Sequence, residues 1–164
     1  MKKTLTVLLA LTLLVSLCGA APAERAEGFL RWEGSRFAMD YPENYSTVRQ
    51  TGGALFRAPF DISSMIVVRT YILDEAYDDS MAVTIAAEVL PDLAWTQTGA
   101  VMAEIGGKNA AVITDTVYDI PMAFYVIGSG NKALSVLLTG EACSMAEHII
   151  QSVEIKPGFP DMQE

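Results

Sequence analysis

The sequence predicts an α+β domain: an α/β/α sandwich whose mainly antiparallel sheet carries helices on both faces. Residues 121–139, PMAFYVIGSGNKALSVLLT, set two β-rich apolar runs around Gly128, Ser129, Gly130 and Asn131, the composition of a hairpin turn. The first run, 122–127, is apolar throughout, and the second alternates Leu134, Val136, Leu138 with Ala133, Ser135, Leu137. Strands of that kind are covered on both faces, so this hairpin is expected mid-sheet, under helices on two sides. Short links between the later strands favour an antiparallel meander, and two segments carry helical periodicity.

The chain opens with Met1-Lys2-Lys3, an apolar run from Leu5 to Leu17, and Ala21-Pro22-Ala23, the three parts of a secretory signal peptide. Residues 1–23 are therefore expected to be removed, because a permanent anchor needs about 20 apolar residues and this run is shorter. Lipidation at Cys18 is disfavoured by Leu17, which stands where a small residue is wanted. Residues 24–28 are expected as a flexible lead, 29–155 as one domain and 156–164 as a mobile tail. A domain of that size buries a core without disulfides. Cys143 is the only thiol left after cleavage, which excludes a disulfide scaffold and fits a bacterial exported protein.

Residues 29–32 and 36–41 read as a hairpin around Glu33-Gly34-Ser35, stopped by Pro42. A brief run at 45–49 and a strand at 54–57 flank Thr51-Gly52-Gly53. The longest early strand is 64–73, SMIVVRTYIL, apolar on both parities. Asp79 or Ser80 can cap a helix bearing Met81, Ile85 and Val89, ended by Pro91. Strands follow at 98–105, 110–118, 122–127 and 132–139, with turns at Gly106-Gly107, at 119–121 and at 128–131. The last helix, about 142–151, presents Ala142, Met145 and Ile149, with Ser144 and Glu147 spaced as a capping box. Residues 153–155 can add a closing edge strand.

FAMDYPENY at 37–45, a strand-rich half, a helix, the turn Gly107-Lys108-Asn109-Ala110 into a meander, and a last helix running into Ile150-Gln151-Ser152-Val153 together resemble the PsbP-like family. The resemblance covers nearly all of 29–155. It implies the α/β/α sandwich with an antiparallel sheet. Members include an extrinsic photosystem II subunit, a Ran-binding import factor and exported bacterial proteins of unknown role. The family opening is structural, and this chain has Tyr45 where relatives often carry Trp. Fold is implied by the resemblance, and activity is not.

The 164 residues carry 11 basic and 20 acidic side chains, a net charge of −9, and loss of Lys2 and Lys3 takes the mature chain to −11. The arginines all lie between Arg25 and Arg69, while the second part holds only Lys108, Lys132 and Lys156 against most of the acids. Such a chain repels phosphate backbones and anionic lipid, which argues against nucleic acid and membrane surfaces.

Catalytic signatures are not found. His148 is the sole histidine, so a relay has to recruit it, and its spacing from Cys143 turns the two apart on a helix. No histidine or lysine lies close by in sequence to activate Cys143. Gly128-Ser129-Gly130 is an incomplete nucleophile elbow, and the glycine pairs lack the setting of a phosphate loop. One histidine and one thiol cannot furnish a zinc or copper site. Asp74, Glu75, Asp78 and Asp79 are the only calcium candidates, without the spacing of an EF-hand. Their simpler role is to favour the positive end of the following helix. Asn44-Tyr45-Ser46 is formally a sequon but reads as a turn.

No catalytic residue and no cofactor are expected. The reading that follows is an exported, monomeric, non-enzymatic binding or accessory module with a protein partner. The alternatives are a calcium-dependent surface domain using the Asp74 to Asp79 cluster and a hydrolase with an unrecognised site around His148.

Overall fold

A computed structural model of the chain describes residues 26–89, 100–105 and 108–157. The expected signal segment 1–23 with Cys18, the helix stop at Pro91, residues 98 and 99 of the sixth strand, Gly106-Gly107 and the tail beyond Pro157 lie outside the described residues. The elements are β1 (Phe29–Glu33), β2 (Phe37–Pro42), β3 (Ser46–Gln50), β4 (Gly53–Arg57), β5 (Met65–Ile72), α1 (Met81–Val89), β6 (Val101–Ile105), β7 (Lys108–Val117), β8 (Ile120–Ser129), β9 (Lys132–Thr139), a 3-10 helix (Gly140–Met145), α2 (Ala146–Ser152) and β10 (Glu154–Ile155).

Seven strands form one antiparallel sheet in the order β3-β4-β5-β9-β8-β7-β6. The β8–β9 hairpin lies inside it between β5 and β7, where arms apolar on both faces belong. The two parities divide cleanly. Ile66, Val68, Tyr125, Leu134, Val136 and Leu138 build the core on one face, and Ala111, Ile113, Phe124, Val126 and Leu137 build it on the other.

The second face is closed by α1, whose Ala82, Ile85 and Ala86 are buried against the sheet. On the first face the cover is mostly a second, three-stranded sheet, β1-β2-β10, which contributes Phe37 and Met39, with Ile149 and Ile150 of α2 beside it. The domain is thus a mainly antiparallel, sheet-rich α+β fold with few helices. Full helical layers on both faces were expected from the apolar arms, but apolar strands report only that a face is covered, and here strands supply much of the cover.

Local details differ from expectation in three places. The last helix starts as a 3-10 helix at Gly140, whose φ of 60° breaks the chain direction after β9. Ser144 and Glu147 form no capping box, because the Ser144 hydroxyl donates back to the Glu141 carbonyl at 2.7 Å. The turn into α1 is held by Asp78, whose carboxylate accepts the Ser80 N–H at 2.6 Å.

The central hairpin turn also carries a loop. Tyr77 N–H donates to the Gly130 carbonyl at 2.7 Å and Leu73 N–H to that of Asn131 at 2.8 Å. Gly128 lets the Tyr77 ring lie on the strand, since a Cβ there would fall 2.0 Å from it. Burial, followed by the Asp79 and Asp78 charges, pushes the Tyr77 phenol up to about 12. At the ends, Glu43 N–H donates to the Gly28 carbonyl at 2.9 Å, and Lys156 N–H to that of Arg36 at 2.9 Å.

Candidate functional site

One end of the large sheet combines two rigid turns with three exposed large apolar side chains. The β4–β5 loop, residues 58–64, is closed by Ala58 N–H donating to the Ser64 carbonyl at 3.1 Å and Ser64 N–H to the Asp61 carbonyl at 3.1 Å. The Asp61 carboxylate accepts the Ser63 N–H at 2.9 Å and the Ser63 and Ser64 hydroxyls at 2.5 Å each. Those bonds favour its charged form and lower its pKa. Ser64 is fully buried and accepts Glu141 N–H at 2.9 Å, while the Thr139 hydroxyl donates to the Ser63 carbonyl. The loop is thereby fastened to the end of β9.

On this fixed loop Phe60 is 100% exposed and Ile62 is 92% exposed. A mobile loop could fold such side chains inward, whereas this one holds them in water. Across the same end, Tyr118 and Asp119 make the two-residue link between Val117 and Ile120, with φ of 51° and 62°. That is a type I′ geometry, which favours Asn-Gly and is strained for tyrosine. Tyr118 is 94% exposed. Only β9 separates β5 from β8, so strand spacings of about 4.8 Å put loop and turn roughly 14 Å apart. The exposed acids Asp61, Asp119 and Glu141 sit among these tips, and Arg57 at the end of β4 is the basic residue beside them.

Strain at an exposed aromatic points to a use for it. Tyr118→Asn with Asp119→Gly is expected to stabilise the domain by about 1 kcal/mol, since each non-glycine left-handed residue costs about 1–2 kcal/mol. Urea denaturation reads the change, and a midpoint at or below wild type would show that no strain is stored there.

The residues singled out from sequence lie elsewhere. Asp74, Glu75, Asp78 and Asp79 are exposed at the opposite end, on the loop carried by the central hairpin. Among the described residues no three His, Cys, Asp or Glu side chains gather as metal ligands. Cys143 is half-buried and its thiol lies 3.4 Å from both the Pro121 and the Leu138 carbonyl, either of which can accept its one S–H, and burial pushes its pKa up. His148 packs on Phe29 with the rings tilted by 45° and centroids 4.1 Å apart, and its Nε2 lies 3.3 Å from Asp40 Oδ2, a contact not aligned as a hydrogen bond. The hollow beside it, about 330 Å³, is open to solvent. Asn44 is exposed in the turn after Pro42.

Phe60, Ile62 and Tyr118 were not singled out from sequence. A usable signal was there: Pro59-Phe60-Asp61-Ile62-Ser63-Ser64 places two large apolar residues among turn formers, and Tyr118-Asp119 fills a hairpin link where Asn-Gly is favoured.

Among described residues no helix is long and apolar enough to cross a membrane. No family model and no curated protein matches the sequence. Solved structures do. Cyanobacterial PsbP from Synechocystis superposes with a TM-score of 0.54 at 13% identity, covering 85% of this chain and 99% of that one. A protein from Bacteroides thetaiotaomicron gives 0.52 at 19% identity over 73% of this chain, which spans only 45% of that protein. LpqN of Mycobacterium tuberculosis, involved in cell envelope biogenesis, gives 0.42 at 15% identity, covering 74% and 83% of the two chains. The likeness to PsbP shows the fold: this chain has the PsbP-like architecture that its FAMDYPENY opening announced.

Proposed function

We propose that the chain is an exported, non-enzymatic binding or accessory module on a reduced α/β/α sandwich, and that it docks a protein partner through the end bearing Phe60, Ile62 and Tyr118. The observation that carries the reading is the near-complete exposure of Phe60 and Ile62 on a loop pinned by Asp61. Holding apolar anchors in place before binding lowers the ordering cost of association. Asp61, Asp119 and Glu141 define the partner further, as a surface with apolar sockets and basic residues around them, and they disfavour an anionic membrane. Export rests on the amino-terminal basic, apolar and small-residue pattern.

A photo-crosslinking amino acid at position 60, in cells that make the protein, tests this. A discrete adduct with one protein is expected, weakened by salt and lost when Ile62→Ser and Tyr118→Ser are added. The same probe at exposed position 75, at the other end, is expected to give none. Purified F60S/I62S protein should melt as wild type does. The reading fails if position 60 yields no adduct, if the adduct survives both substitutions, or if the wild-type domain floats with zwitterionic lipid vesicles while F60S/I62S does not.

A further inference from the structure

A small cleft between the β1–β2 hairpin and the β3–β4 turn runs against the charge of the whole molecule. The chain has a net charge of −9, yet this cavity of about 80 Å³ is lined by Arg36 and Arg49 and, among the described residues, by no carboxylate. Its remaining walls include Trp32, Gly34, Gly52 and Gly53. Trp32 Nε1 is buried there without a hydrogen-bond partner among the described residues. A buried indole N–H left unpaired is costly and uncommon, so it asks for an acceptor.

The rest of the lining offers these donors no described carboxylate. Gly34 faces the indole, and a Cβ at that position would stand 2.9 Å from Nε1, enough to cover it. Arg49 lies over the Trp32 ring at 5.4 Å from its centroid and makes no ion pair among the described residues. Arg36 is oriented by Thr70, whose hydroxyl takes Nη1 at 3.1 Å and itself donates to the Gly52 carbonyl at 2.7 Å. Glu33, the acid next in sequence to Trp32, is engaged by Arg31 at 3.3 Å and by Lys156 at 2.5 Å. Two guanidiniums and an indole N–H therefore border one space, and no carboxylate of the described residues lines it.

We infer that this cleft is a binding site for a small oxyanion, a carboxylate or phosphate group, with Trp32 Nε1 and Arg49 as direct donors and Arg36 as a held positive charge. Room for a water takes roughly 10–15 Å³, so the cavity takes such a group with a few waters. Guanidinium matches either oxyanion through paired N–H donors. The site is separate from the apolar tips and does not depend on their use.

The indole N–H is its own reporter. In ¹⁵N-labelled protein, with the two tryptophan signals assigned by Trp32→Phe and Trp95→Phe, inorganic phosphate and acetate are titrated separately at constant ionic strength. A saturable shift of the Trp32 indole is expected with at least one anion. Phosphate acting more strongly assigns a phosphoryl group and acetate a carboxylate; either supports the site. Arg49→Gln should weaken the response about tenfold, equivalent to about 1.4 kcal/mol, with melting unchanged, and Gly34→Ala should abolish it. The inference is overturned if neither anion gives a saturable shift, or if the shift survives Arg49→Gln undiminished.

Discussion

Phe56→Ala should cost about 3–5 kcal/mol of stability, the range for truncating a buried aromatic. Phe56 has no exposed surface and sits on β4, paired with Ile66 of β5. Its ring meets Trp32 edge-on at 5.5 Å and Tyr41 at 4.7 Å, so one side chain on the large sheet touches residues of both strands of the opening hairpin. Loss of the ring leaves a void that two sheets must close together, and close packing lets neither move freely. Against a typical total of about 5–15 kcal/mol, the variant should be marginal at physiological temperature. Urea denaturation by far-UV circular dichroism measures it. Phe56→Leu retains most of the volume and should cost less than about half as much. An alanine variant within about 1 kcal/mol of wild type would mean that the opening hairpin is not held to the large sheet through this ring. The same variant frees Trp32, so its indole response to oxyanions should also broaden or vanish.

The strands of the large sheet were legible because their signal is local. In β8 and β9 nearly all the residues between the strand ends, Ser135 and Gly128 apart, are apolar enough to declare both faces covered, and the glycines between the arms mark the turn. What covers a face was not legible. The cover on the first face depends on β10 pairing with β2, Glu154 opposite Ala38, a contact between chain ends that no periodicity announces. The 3-10 start at Gly140 was hidden for a similar reason: Ala142, Met145 and Ile149 have helical spacing, while the break is imposed by a nearby loop, with a Cβ at Gly140 only 2.5 Å from Ser64 Oγ. Both candidate sites escaped notice because they lie where elements meet. Trp32 and Arg49 come from different sheets, and the exposure of Phe60 follows from hydrogen bonds made by Asp61, which in sequence is one more loop acid.

Tyr45, where PsbP-like relatives often carry Trp, buries its hydroxyl along with its ring. The residue is 6% exposed within the first-face core, and its hydroxyl is buried with no aligned hydrogen-bond partner, Ser64 being near but outside that geometry. Pro42 explains the placement, since the Pro42 carbonyl accepts Tyr45 N–H at 3.0 Å and the tight turn directs the ring inward. Tyr45→Ala should therefore lose about 3–5 kcal/mol and act as a folding variant. Tyr45→Phe should match or exceed wild type, because it removes a buried polar atom that gains nothing in return. The two variants also separate at high pH. Burial first, then the Glu141 charge, raises the Tyr45 phenol above its ordinary value. A folded value above the unfolded one, about 10, favours folding fully while the phenol stays neutral below that pH, and this contribution fades as pH climbs through the raised value. Tyr45→Phe should thus flatten the alkaline fall in stability relative to wild type, a comparison in which the other tyrosines cancel. If instead Tyr45→Ala melts like wild type and loses the crosslinked partner, the ring is a contact residue and the docking surface extends from Phe60 to this turn.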